Sequence, residues 1–241
     1  MTRVIWLLIA FACAATACSR TTDSTATPPA ATAPAPSSSS PAPLSQRSTS
    51  DGQPVEALVP PGWTIEQRHD GELNGDGQAD AVLILRQGDE SVPPRTVMVA
   101  LGTGGSGRYA VGAQNALLIP ADPNGQIEDP LADGGIDVRP QEFDLRLGLA
   151  SASGSAQTAA IRYRFHWRDG CFQLVEFRRA ETNRASLDIR DTTANLLTGE
   201  VTTKTGGEGR NDTRTTTSRI ADRSRRCLAD VSGGFDYDPA R

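Results

Sequence analysis

"AIRYRFHWRDGCFQLVEFRR", residues 160 to 179, decides the fold class. Ile161, Tyr163, Phe165 and Trp167 alternate with Arg162, Arg164 and His166. A period of two places the first set on one face of a strand and the second set on the other. Asp169-Gly170 then supplies a two-residue turn suited to positive φ, and the alternation resumes at Cys171. A β-hairpin with one packed and one wet face is the expectation. Outward from it, short β-rich runs recur between Gly, Asp, Asn and Pro. Strands are expected over residues 63–68, 81–87, 96–101, 109–114, 136–139, 142–150, 158–167, 171–178, 186–191 and 200–204. No stretch carries a helical period, although 117–119 and 192–197 could each form a short helical turn. The expected fold class is mostly β: a single antiparallel β domain.

Not all of the chain belongs to that domain. Arg3 supplies a positive end, and Val4 to Ala17 is uncharged and rich in small and apolar side chains. Those 14 residues are too few to span a bilayer as a helix, which takes about 20, so residues 1–17 read as a signal peptide. The end of this segment, "AATACS", resembles a bacterial lipoprotein box, with Ala15 where such boxes usually carry leucine. The resemblance implies that Cys18 is acylated and becomes the new N-terminus. Ser19, in place of aspartate, implies an outer-membrane lipoprotein facing the periplasm or the cell surface. Several acyl chains would hold it on the membrane, at about 0.8 kcal/mol per buried methylene. Residues 18–53 are dominated by Ser, Thr, Ala and Pro, as in "PPAATAPAPSSSSPAP". Such a composition buries too little apolar surface to fold and is expected to act as a disordered, semi-stiff tether. The expected globular domain is 54–241.

Cysteine usage fits the same compartment. Cys13 leaves with the signal and Cys18 carries lipid, so Cys171 and Cys227 remain as an even pair in an oxidising environment. A disulfide between them would close a loop of about 55 residues, worth about 4 kcal/mol on the chain-entropy model. Loss of Arg3 leaves 23 basic against 29 acidic residues. That balance argues against nucleic acid as a partner.

The chemistry-bearing stretch is "GELNGDGQADAVLILRQ", residues 71 to 87. Glu72, Asn74, Asp76, Gln78 and Asp80 place an oxygen-bearing side chain at every second position, and Gly77 permits a sharp bend. Calcium takes about six to eight oxygen ligands from carboxylates, amides, backbone and water. The expected set is Glu72, Asn74, Asp76, the backbone carbonyl of Gln78, and Asp80. An EF-hand is excluded: its twelfth position would fall on Ala81 or Leu83, and a buried strand follows instead of a helix. "ELNGDGQAD" resembles the calcium loop of FG-GAP or VCBS-type repeats, the integrin-propeller family, in which D-x-N-x-D-G-x-x-D leads into a strand. It matches at Asn74, Asp76, Gly77 and Asp80, with Glu72 where the family has aspartate. One copy of the loop cannot make a propeller of four or more blades. "RFHWRDGCFQLVEF" and "ANLLTGEV" also resemble small bacterial lipoproteins that carry one such loop and mostly have no assigned activity.

Other motifs read as structure. "GTGGSG", Gly102 to Gly107, is followed by a strand-like run, so it is a hairpin loop and no dinucleotide site. "ADPNGQIED", with Asp122, Asn124 and Asp129, is a partial echo of the ion loop. His69 and His166 lack spaced partners for zinc. Arg219, Arg223, Arg225 and Arg226 form a basic cluster that reads as a solvated face, and "NDT" at Asn211 matches a glycosylation triplet. The expectation for function is a non-enzymatic, calcium-stabilised, envelope-anchored lipoprotein that binds an envelope protein or glycan, or serves a structural role. The alternative is a cell-envelope hydrolase using carboxylates.

Overall fold

The computed structural model describes residues 52–232 and 237–239, apart from Gly105, Pro123, Glu208, Arg210, Asn211 and Ala221. The expected signal, Cys18 and nearly all of the expected tether lie outside these residues, as does Asn211. Among the described residues, eleven strands form two antiparallel sheets. The first sheet is a meander of β1 (Trp63–Gly71), β2 (Asp80–Gln87), β3 (Arg95–Gly102) and β4 (Tyr109–Asn115). The second runs in order from β5 (Gly135–Arg139) through β6 (Glu142–Ala150), β7 (Gln157–Arg168), β8 (Cys171–Asn183), β9 (Asp188–Asn195) and β10 (Glu200–Gly207) to β11 (Arg214–Arg219). Within each sheet every strand pairs with its sequence neighbours, as short loops and hairpin turns favour, and the longer β4–β5 connection passes from one sheet to the other.

The 160–179 hairpin forms as its alternation requires. Asp169 and Gly170 take φ of 48° and 79° at the β7–β8 turn. Arg164 faces Glu176 and Phe165 faces Leu174, which leaves Val175 as the extra residue of a β-bulge. Ile161, Tyr163, Phe165, Phe172, Leu174 and Phe177 all point into the main core. There Phe143 stacks on Phe165 at 5.1 Å, and Tyr163, Phe177 and Tyr237 pack with centroids 5.1–5.7 Å apart. Such ring pairs add about 0.5–1.5 kcal/mol each beyond their burial. Val82, Ile84, Val97 and Val99 of the first sheet close this core from the other side. The alternate residues of β2, Ala81, Leu83 and Leu85, are equally buried and belong to a second cluster with Val55, Met98 and Ala100. A 3-10 helix, Val55–Leu58, covers that outer face. Burial on both faces explains why β2 reads as a continuous apolar run without alternation.

The opposite face of the hairpin is charged but not simply wet. Asp144 of β6 is 2% exposed. It accepts from Arg164 Nε at 2.9 Å and Nη2 at 3.1 Å, and from Arg139. Arg162 pairs with Glu176, and Arg178 grips Asp191 bidentately at 2.9 and 2.7 Å. Burial disfavours the charged form of Asp144, but the hydrogen bonds and charges of Arg164 and Arg139 hold its carboxyl below the usual range. Between the sheets, Arg95 (3% exposed) bonds Glu66 at 2.6 and 2.8 Å and Asp129 at 2.9 and 2.8 Å.

Several expectations need correction. Thr192–Asn195 is the end of β9 and not a helical turn, because it pairs with both β8 and β10. Residues 117–119 form a bend held by the Asn115 side chain, which accepts from Leu117 N and Leu118 N at 2.7 and 3.0 Å. β11 was not expected: "RTTTSR" is exposed throughout, so it has no apolar alternation, and only its β-branched threonines favour a strand. Gln53, the last residue of the expected tether, already pairs with Tyr109. Cys171 and Cys227 form a disulfide, with Cα atoms 5.8 Å apart. It joins the start of β8 to the segment before the 3-10 helix Leu228–Asp230. Backbone pairing of Gln173 with Cys227 reinforces the link.

Asp144 gives a test of the charged face. Its folded pKa is depressed, so its contribution is present above the ordinary aspartate value and is lost as pH falls through the lowered one. Asp144→Asn is expected to cost roughly 1–3 kcal/mol at pH 7, because the partly exposed guanidinium groups of Arg164 and Arg139 lose the buried carboxylate that they bond. In urea unfolding followed against pH, the deficit should shrink below about pH 4.

Candidate metal centre

The β1–β2 connection, residues 72–79, is where the oxygen-bearing side chains gather. Gly75 and Gly77 have φ of 83° and 79°, the left-handed conformation that lets the loop fold back on itself. Glu72, Asn74 and Asp76 each cap backbone N–H groups of the loop. Glu72 Oε1 accepts from Asn74 N at 3.1 Å and Gly75 N at 2.7 Å. Asn74 Oδ1 accepts from Asp76 N at 3.0 Å, and Asp76 Oδ1 accepts from Gln78 N at 2.8 Å. Asn74 Nδ2 donates to Asp76 Oδ2 at 3.0 Å. This is the Asx-turn chemistry that short polar side chains favour outside regular structure.

Asp80 stands apart from the others. It opens β2, is 0% exposed, and uses both oxygens. Oδ2 accepts from Leu73 N and Oδ1 from Gly102 N, each at 2.8 Å. One carboxylate therefore ties the start of the loop to the end of β3. Gly102 has to be glycine here, because a Cβ would lie 2.7 Å from the Ala79 carbonyl oxygen. Leu73, between two ligand candidates, plugs into the main core at 0% exposure. The loop also reaches the second sheet. The Glu72 carbonyl accepts from Gln141 N in the β5–β6 turn, and the Gln141 carbonyl accepts from Trp167 N, each at 2.9 Å. The Gln78 side-chain oxygen accepts from Gly104 N in the β3–β4 loop.

Burial raises the Asp80 carboxyl above the usual carboxylate range. The N–H groups of Gly102 and Leu73 pull it down, while the charges of Asp76 and Glu72 push it up. The side-chain charges that act most on Asp80 are thus the neighbouring carboxylates of Asp76 and Glu72. By chemistry the set fits a hard divalent cation: three carboxylates, the Asn74 amide oxygen and the Gln78 carbonyl, with Glu72 free to ligate through Oε2 because its Oε1 already accepts two N–H groups. As the side chains stand, no group of three His, Cys, Asp or Glu residues is close enough to hold a metal among the described residues. The loop brings Glu72, Asn74 and Asp76 together on its own N–H groups, and sets Asp80 behind them in the core wall.

The remaining sequence candidates have structural work. "GTGGSG" joins β3 to β4, a strand and no helix. Asp122 accepts from Asn124 N, Gln126 N and Ile127 N, and so organises a turn, while Asp129 is the partner of Arg95. Of the basic cluster, Arg226 donates to the Tyr237 hydroxyl at 2.8 Å, Arg225 lies 3.6 Å from Asp169, and Arg223 donates to the Leu197 carbonyl. Sequence reasoning missed Leu73, Gly102 and Gln141. Leu73 alone carried a signal, as the one large apolar residue inside an oxygen-rich loop. No family model, curated protein or solved structure matches this chain.

Asp80→Ala leaves two buried N–H groups without acceptors, at about 1–3 kcal/mol each. In chelator, calorimetry should show a melting temperature lower by roughly 4–24 °C, given about 2–4 °C per kcal/mol for a domain of this size. Asp76→Ala, at an exposed position, should change the metal-free stability by less than about 1 kcal/mol.

Proposed function

We propose that this is an envelope-anchored bacterial lipoprotein whose β domain is stabilised by one structural calcium ion. Its role is binding or structural, toward an envelope protein or glycan. The observation that supports the calcium reading is Asp80: a buried carboxylate beside the charges of Glu72 and Asp76, at the base of a loop that touches both sheets. Glu72, Asn74, Asp76, Asp80 and the Gln78 carbonyl would hold the ion. Calcium supplies charge neutralisation there, and the chain supplies rigidity through Leu73, Gly102 and Gln141. The anchor rests on the "AATACS" box with Cys18.

The non-enzymatic reading is supported by how the buried and half-buried carboxylates are used. Asp144 is held by arginines, and Asp80 by two backbone N–H groups. Glu66 and Asp129 share Arg95.

Calcium added to chelator-stripped protein is expected to raise the melting temperature by roughly 5–10 °C at about 100-fold excess over its dissociation constant, since that linkage is worth about 2.7 kcal/mol. Calorimetric titration should show one site, and Asp76→Ala should abolish both effects. Uptake of no calcium, with an unchanged midpoint, would refute the metal reading. Cys18→Ser should move the protein from the membrane fraction to the soluble one; unchanged fractionation would refute the anchor.

A further inference from the structure

The outer face of the second sheet carries a ridge and a trough that run across its strands. Arg146 of β6 pairs with Arg162 of β7, and Arg162 with Arg178 of β8, so three guanidinium groups stand in one line. Two residues along each strand, Gly148 pairs with Ala160, and Ala160 with Ala180. By alternation both rows lie on the face opposite Ile161, Tyr163 and Phe177, which fill the core. Long side chains beside a line of the smallest ones leave an open groove of about 690 Å³. From β6 to β8 it crosses about 10 Å, at ~4.8 Å per strand.

Like charges placed directly opposite on neighbouring strands are destabilising, and here two such pairs adjoin. Carboxylates offset them in part. Arg146 Nε lies 3.1 Å from Asp137, Arg162 Nη2 donates to Glu176, and Arg178 donates to Asp191 through Nε and Nη2. Asp137 and Glu176 belong to the next row, on the side of the arginines away from the trough. A guanidinium has five donors. The Nη1 groups of these three arginines make no hydrogen bond among the described residues. Arg146 and Arg178 are also about half exposed.

These features select the ligand. The backbone groups of β6, β7 and β8 are committed to their ladders, so the trough offers an extended peptide no strand pairing. It offers guanidinium forks, which match the geometry of a carboxylate. It also offers the hydroxyls of Thr158 and Thr182, in the row beyond the small residues. Glu128 lines the groove beside β6, where its N–H bonds the Ala150 carbonyl, and Asp133 lines it as well. Carboxylates there accept from hydroxyl groups and repel a chain that is charged at every bond.

We infer that this trough binds an acidic glycan, with its carboxylates on Arg146, Arg162 and Arg178 and its hydroxyls on Thr158, Thr182 and Glu128. The inference rests on the binding role proposed above and gives that role a site and a ligand class. It does not involve the 72–80 loop.

The test is equilibrium dialysis of the mature chain from position 18, with Cys18→Ser, against tetragalacturonate. Chelator is present so that calcium cannot bridge ligand and protein. Binding should appear at low salt and fade in about 1 M salt, where the screening length falls to ~3 Å. The fully methyl-esterified tetramer, with the same rings and no charge, should not bind. Arg146→Gln breaks only an exposed ion pair in the protein and should lower affinity about tenfold or more. Ala160→Glu puts a carboxylate on the exposed floor and should abolish binding. Both variants should melt close to the parent temperature. Absence of binding at millimolar tetragalacturonate, equal binding of the methyl ester, tighter binding of hexaglutamate, or an affinity unmoved by the two substitutions would each overturn the inference. Such results strike the trough alone; the binding role would then rest on another surface.

Discussion

The arrangement depends on one buried carboxylate. Asp80 opens β2 with no exposed surface, and its two oxygens take the N–H groups of Leu73 and Gly102. A carboxylate is suited to this position because it offers two acceptors in one plane, so it can hold the start of a loop and the end of a strand together. An amide there would present a donor to one of the two N–H groups and lose that bond. The cost is a charge taken from water next to two further carboxylates, and it shows in the raised pKa of Asp80. A loop rich in oxygen ligands at that point is where a divalent cation would relieve the most strain.

From this point the two sheets are joined in layers. Leu73 enters the shared core, the Glu72 carbonyl reaches Gln141 in the second sheet, and Gly102 lets the β3 backbone approach the loop. The aromatic cluster around Phe143, Phe165 and Tyr163 packs within that same core. Arg95, between Glu66 and Asp129, crosses from β3 to the segment before β5 with every carboxylate oxygen bonded. Buried charges are tolerated at these places because each is matched; a single removal would leave its partner uncompensated.

Much of this was legible in the sequence, for identifiable reasons. The β7–β8 hairpin showed itself because one face is apolar and the other charged, so the period of two is visible residue by residue. β2 was legible as a buried strand because both its faces pack. The Cys171–Cys227 disulfide followed from counting. β11 was not legible, since a strand exposed on both faces has no pattern to show. The oxygen-rich character of 72–80 was plain, but the separate position of Asp80 was not. Its partner Gly102 is 22 residues away, and only the pairing of β2 with β3 brings them together. The same holds for Asp129, which stood in a partial echo of the ion loop in sequence and serves Arg95 in the fold.

The central claim is that the Asp80 clamp makes the 72–80 loop part of the rigid core and prepares it for a cation. Residue-resolved hydrogen exchange of the Leu73 and Gly102 amides tests this most directly. The account predicts protection comparable to the central amides of β2 in chelator, and slower exchange still in millimolar calcium. Exchange of both amides at the rate of an open surface loop, unchanged by calcium, would contradict it.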